Sequence, residues 1–451
     1  MTDEALIGGL PIPVEIRAPR SAWFTLWAIL ALGMFGFVDR QVLTLVSAPL
    51  ATALHLSDGQ LGAVQGLAFA IFTVAAVYPL GWAADRFDRR VVLGACVVLW
   101  SAGTAACGLV HNFTQLFIAA IAIAAGEAGV APIALAIIPD LFHGRQRVFV
   151  NALNYTSATV GVSVALMLGG VAISALDTVH PSLPATLQAF EPWRLAFLLV
   201  AAPAPVFLVL IAFMQLRRTD SAGTRIDPVG QDRLLPYVRA NWSTLTLIFG
   251  GIAFGGLAFG GFLAWLPVAT SRLFGASVSE NGLGMGLASG CGALGGVTFA
   301  TLLLRHYGSR LGSVAAIRIC WIAMAAVAPV LLVFPFVTTT FQVYLAMGLM
   351  MWGGTVMGAL SSNILQALAP ASVRARIFSI YIIVSGLIGG SSPTLVGLVS
   401  DYVGGPRGLF DALTIVSFPA WLVATSLFWA SERPFVRTAA VVAATTEHSG
   451  R

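Results

Sequence analysis

Apolar stretches, each close to the roughly 20 residues that cross a bilayer as a helix, recur from residue 22 to residue 431 and are separated by short polar breaks. The pattern predicts spans near 22–50, 58–84, 91–110, 114–138, 149–176, 194–215, 243–270, 280–304, 311–335, 341–369, 376–401 and 407–430. The two-residue alternation of a membrane β-barrel is absent. The expected fold class is therefore an all-α membrane protein with twelve transmembrane helices.

The most polar internal stretch, Arg217 to Arg239, divides the spans six and six. The organisation this predicts is a cytoplasmic N-terminal tail (1–21), an N-terminal six-helix bundle (22–215), a cytoplasmic linker (216–242), a C-terminal six-helix bundle (243–431) and a cytoplasmic C-terminal tail (432–451). Equal halves of like orientation mark a parallel repeat about the membrane normal, with a solute site between them. A faint echo supports the repeat. The loop after the second span reads Asp85-Arg86-Phe87-Asp88-Arg89-Arg90, and the one after the eighth reads Arg305-His306-Tyr307-Gly308-Ser309-Arg310.

Composition sharpens this picture. Only 10% of the residues are charged and the mean hydropathy is +0.89, whereas an ordinary soluble domain carries about a quarter charged residues. The basic residues are all arginine, and they sit in alternate loops instead of one patch, so nucleic acid is not an expected partner. Groups follow the second (Arg86, Arg89, Arg90), fourth (Arg145, Arg147), sixth, eighth (Arg305, Arg310), tenth (Arg374, Arg376) and last spans (Arg433, Arg437); the intervening loops hold chiefly Arg194, Arg272 and Arg407. By the positive-inside rule both termini face the cytoplasm. No removable signal peptide is expected. Cys96, Cys107, Cys291 and Cys320 lie within apolar spans, where packing is the expected role and neither disulfide nor metal is.

Two charges stand side by side inside the first span, Asp39 and Arg40, and Glu127 lies near mid-depth of the fourth. Charge in hydrocarbon is costly and usually works on a solute or an ion. Successive helical residues point about 100° apart, so Asp39 and Arg40 can border one cavity without sharing a face. Two acids against one base leave one carboxylate uncompensated. The expectation is that one acid, Asp39, exchanges an ion and couples its movement to transport while Glu127 pairs with Arg40. A static triad holding helices together is the plainer alternative. The excess negative charge also suits a cationic or zwitterionic solute. Asn154, Tyr155, Asn363 and Gln366 are polar candidates for a substrate cavity, or for hydrogen bonds between helices.

Gly81-Trp82-Ala83-Ala84-Asp85-Arg86-Phe87-Asp88-Arg89-Arg90 places an acid at the C-terminal end of a helix, where the macrodipole disfavours it. Gly81, Asp85, Arg86, Arg89 and Arg90 are thus candidates for a cytoplasmic gate, with Asp85 docking on a helix N-terminus of the other half. This string resembles the loop signature of the major facilitator superfamily, and the resemblance covers the whole chain. Phe37-Val38-Asp39-Arg40-Gln41-Val42-Leu43-Thr44-Leu45, Leu56-Ser57-Asp58-Gly59-Gln60-Leu61-Gly62 and Gly126-Glu127-Ala128-Gly129 are similar to the spinster-like branch and the neighbouring organic-anion symporters. The resemblance implies the major facilitator fold, alternating access between two bundles, coupling to a proton or sodium, and a monomer. It also implies lysolipid- or sphingolipid-like solutes, or sugar acids and carboxylates in the anion branch. Both branches imply a second arginine before the glutamate, where this chain has Ala120.

The spacing Gly161 to Gly170 resembles the fifth-helix motif of proton-coupled drug exporters, but Ala165 and Leu166 replace its glycine and proline. Without lysine there is no Gly-x-x-x-x-Gly-Lys loop for ATP. The histidines lie in loops or at span ends, and Asp39 has no aspartate partner in another span, so neither an enzyme nor a cofactor is expected. The reading is a secondary transporter of a small organic or amphipathic lipid-like solute in a bacterial inner membrane, surrounded by membrane lipid, with a drug or cation antiporter and a sugar-acid symporter as alternatives.

Overall fold

The computed structural model describes residues 6–7, 10–11, 18–130, 133, 137–138, 141–142, 144–214, 231–368 and 371–449. Ten of its helical stretches are long and apolar enough to cross a membrane. One of them, Val278–Phe336, holds two helices that turn back at Gly312, and Phe113–Glu127 adds a shorter apolar helix. The long helices are α1 (Arg20–Leu45), α2 (Asp58–Ala84), α3 (Arg89–Cys107), α4 (Phe113–Glu127), α5 (Gly144–Val179), α6 (Pro192–Phe213), α7 (Trp242–Phe274), α8 (Val278–Leu311), α9 (Ala315–Val327), α10 (Thr340–Leu368), α11 (Arg376–Val403) and α12 (Gly408–Ser449). This agrees with the twelve expected spans. A two-residue antiparallel pairing, Leu6–Ile7 with Leu10–Pro11, precedes them.

The internal repeat is written in its terminal chemistry. Helix α2 begins with a capping box, Ser57 with Gln60, and α8 begins with the same device, Ser277 with Glu280. Each satisfies amide donors that a helix start leaves orphaned. At the start of α6, Arg194 donates through Nη1 to the carbonyls of Gly108 (3.2 Å) and Val110 (2.7 Å). At the start of α12, Arg407 donates through Nη1 to those of Pro335 (2.9 Å) and Val337 (3.0 Å). Two of the loop arginines outside the basic groups thus close the carbonyl end of a neighbouring helical segment in each half.

Close approach carries the packing between the halves. A methyl group built on Gly282 of α8 would lie 2.7 Å from the Cα of Gly170 on α5, and nearby Ser289 donates to Ser163 at 2.9 Å. Helix α2 loosens to a π turn over Ala63–Ala68, and α11 is interrupted at Ser391 just before Pro393. These two irregular segments face each other. The Thr394 hydroxyl donates to the Gly62 carbonyl at 3.0 Å and accepts from the Leu67 amide at 3.2 Å. One hydroxyl thereby serves two backbone groups across the gap.

Within the C-terminal half, the buried Trp265 donates from Nε1 to the Pro393 carbonyl at 2.8 Å and Trp421 donates to that of Met324 at 2.8 Å. Cys96, Cys107 and Cys320 are buried, whereas Cys291 is exposed on α8. The linker contains a helix, Gln231–Ala240, whose Tyr237 hydroxyl donates to the Leu368 carbonyl at the end of α10. Asn241 accepts from Thr438, which also pairs with Thr244. Helix α12 runs on to Ser449, with Phe435, Ala439 and Val442 buried, so the segment drawn as a tail from 432 begins as helix.

Candidate functional site: a cleft beside Arg40 and a charged contact between the bundles

Helix α1 turns its two adjacent charges to different environments. Arg40 lines a cleft of about 440 Å3 bounded by Phe69, Thr73 and Tyr78 of α2 and by Ser379, Ile383 and Gly386 of α11. Its guanidinium stands 4.7 Å from the centre of the Phe69 ring, a cation–π contact that holds it against apolar surface. Arg40 is the charged residue in that lining. Asp39 points the other way, 3% exposed, and its Oδ2 accepts from the Thr104 hydroxyl of α3 at 2.8 Å. Asp39 is absent from the lining of this cleft, the step of about 100° between successive residues turning it toward α3.

Glu127 lies within electrostatic range of both Arg40 and Asp39. The expected Glu127–Arg40 pair is not a direct ion pair among the described residues. One oxygen of each acid, Asp39 Oδ1 and Glu127 Oε1, is buried without a hydrogen-bond partner among the described residues. An ionised carboxylate so placed is costly. Ala120 is fully buried in apolar packing with Leu116 and Ile123, so no second guanidinium enters from that position. Gln65, which donates to Ser47 at 2.6 Å, adds a buried polar pair that sequence reasoning missed. A glutamine and a serine 18 residues apart in neighbouring spans gave no local pattern.

The remaining candidates fall apart from this group. Asn363 and Gln366 are exposed on α10 and do not line the cleft. The side chains of Asn154 and Tyr155 lie outside the described residues, as does that of Asp85. In the gate motif, Arg86 stacks on Trp82 at 4.7 Å, Asp88 caps α3 by accepting from the Arg90 amide at 2.8 Å, and Arg90 reaches the Ala212 carbonyl at 3.4 Å. Arg89 is partly buried, and a methyl group on Gly81 would meet open space.

A carboxylate docked on a helix start of the other half does occur, but at the opposite, arginine-poor end. Asp401 at the end of α11 accepts from the amides of Asp58 (2.9 Å) and Gly59 (2.7 Å), the first residues of α2. In return, Asp58 accepts from Arg272 of α7 through both oxygens (2.8 and 2.6 Å) and from Ser400 of α11 (2.7 Å). A cavity of about 310 Å3 lies against this cluster. The signal that could have found it is an acid–acid–arginine set in loops otherwise poor in charge.

Comparison with known proteins agrees with this architecture. The chain is 24% identical to an MFS-type efflux pump of Mycolicibacterium smegmatis, over 93% of its own length and 95% of that protein's. It is 24% identical to a probable L-galactonate transporter of Escherichia coli K12, over 82% of its length and 81% of that protein's. Among solved structures, a bacterial homologue of the human lysosomal transporter spinster, inward-facing and unoccupied, superposes with a TM-score of 0.78 at 20% identity, covering 94% of this chain and 99% of that one. The spinster-like likeness read from the sequence is thus present in the fold. Residues 28–327 match the Major Facilitator Superfamily, and the chain belongs to that family of multi-pass membrane transporters.

Proposed function

We propose that this protein is a proton-coupled secondary transporter of an amphipathic solute with a single acidic head, working by alternating access in a bacterial inner membrane with both termini in the cytoplasm. The observation that carries the reading is the split at residues 39 and 40. Among the described residues, Arg40 is the one charged side chain lining a mostly apolar cleft between the bundles, while its neighbour Asp39 is buried against Thr104 inside the N-terminal bundle. A proton on Asp39 and a solute on Arg40 would therefore be held by adjacent residues of one helix. Taking up the proton removes an uncompensated negative charge near Arg40, which frees the guanidinium to hold an anionic head by charge-assisted hydrogen bonds. The walls of Phe69, Val74, Val77 and Ile383 suit a hydrocarbon tail better than sugar hydroxyls.

This geometry changes the substrate expected from charge counting alone. The excess carboxylate does not line the cleft, so a cation gains nothing from it there. The similarity to an efflux pump keeps export of a drug as the second reading.

The test is purified protein in liposomes with an imposed pH gradient and internal pyranine, offered a lysophospholipid, a sugar acid and a cationic dye. The expected result is uptake of the acidic lysolipid together with proton movement, reduced about tenfold or more in Arg40→Gln by loss of a charged hydrogen bond. Faster movement of the dye or the sugar acid, or unchanged uptake by Arg40→Gln, overturns the proposal.

A further inference from the structure

We propose that Asp58, Arg272, Ser400 and Asp401 form a reciprocal latch that holds the arginine-poor side of the transporter shut, and that its release gates access from outside. The inference rests on the alternating-access reading, with the arginine-poor side outward.

Every described partner of the Asp58 carboxylate comes from the other bundle: Arg272 on α7 and Ser400 on α11. The reverse holds for Asp401, whose oxygens accept from two amides at the start of α2. Each bundle thus presents a carboxylate to donors of its counterpart. By contrast, Arg318 pairs with Glu432 within the C-terminal bundle, and Arg194 with Glu191 within the N-terminal one. Those pairs stay together whatever the bundles do relative to each other.

The helix start is divided so that the latch uses only part of it. Ser57 accepts from the Gln60 amide within its own bundle, which leaves the amides of Asp58 and Gly59 to Asp401. Helix α2 therefore keeps its own cap when the halves separate. The exposed amides and carboxylates would then pass to water, their natural alternative partner at a helix end. Closed, the same contacts gain from partial burial and from the positive end of the helix dipole. One guanidinium serves a cluster with two carboxylates, so removing Arg272 leaves two like charges facing each other across the closure. This makes Arg272 the residue whose loss opens the latch furthest.

The test measures opening directly and does not depend on the identity of the solute or the coupling ion. Thr73, in the cleft lining, is replaced by Cys in a Cys291→Ser background, and proteoliposomes are treated from outside with a membrane-impermeant maleimide. Arg272→Gln is expected to raise the labelling rate on the order of tenfold, Ser400→Ala less, and the double variant Arg272→Gln with Asp58→Asn less than Arg272→Gln alone. Arg407→Gln, whose described hydrogen bonds stay within the C-terminal bundle, is the control. Labelling of both Arg272→Gln and Ser400→Ala within twofold of the parent, or an equal rise in the control, overturns the latch. Should Arg272→Gln fail to fold, the Ser400→Ala and Asp58→Asn rates decide in the same way. Failure of the parent protein to transport the acidic lysolipid, alongside the expected labelling pattern, would instead count against the solute assignment.

Discussion

Gly282 offers the sharpest structural perturbation. An alanine methyl there would stand 2.7 Å from both the Cα of Gly170 and the carbonyl oxygen of Leu166, against at least 3.4 Å for ordinary contact. Helices α5 and α8 must part by the difference, about 0.7 Å, at a seam where backbone meets backbone and no flexible side chain can yield. Overpacking of this kind costs about 1–3 kcal/mol, and here it falls only on the state in which the two bundles touch. The gain in helix propensity from Gly to Ala, about 1 kcal/mol, is common to both states and cancels. The closed state should lose occupancy by roughly 5- to 150-fold relative to the open one, each 1.4 kcal/mol being about a factor of ten. The assay is outside labelling of the Thr73→Cys reporter. Gly308 lies on the same helix with nothing near its missing side chain, so Gly308→Ala should label like the parent. Equal labelling of Gly282→Ala and Gly308→Ala would refute the argument.

The paired arginine clamps give two further outcomes. Arg407→Met should lower the melting temperature in detergent by several degrees, since two carbonyl acceptors lose a charged donor worth about 1.5–3 kcal/mol, and should leave outside labelling unchanged. Arg194→Met should do the same in the N-terminal half, with an added loss from its stacking on Trp193 at 4.3 Å.

Much of the fold was legible because the bilayer imposes it. Spans must be helical and near 20 residues, so helix order could be read from the apolar stretches and the six-and-six division from the polar stretch Arg217 to Arg239. The site was legible only in part. Asp39, Arg40 and Glu127 were visible as rare charges in apolar spans, but their directions were not, because the face a residue presents depends on helix rotation within the bundle. Asp39 reaches Thr104, 65 positions away, and Thr104 looks like any small polar residue of a packed helix. The latch was hidden for a related reason. Asp58 and Asp401 lie 343 positions apart, whereas the local pattern of an acid at a helix end singles out Asp85 on the other side. The capping boxes, Ser57 with Gln60 and Ser277 with Glu280, were local patterns that could have exposed the repeat more clearly than the loop echo.

The central claim is that a proton on Asp39 drives solute held at Arg40, and Asp39→Asn tests it most directly. The substitution keeps an oxygen for the Thr104 hydroxyl while removing the charge. In proteoliposomes carrying pyranine, the account predicts that the variant loses pH-gradient-driven accumulation of the acidic lysolipid and the accompanying proton signal, while exchange of labelled for unlabelled solute continues. Accumulation at the wild-type level in Asp39→Asn would contradict it.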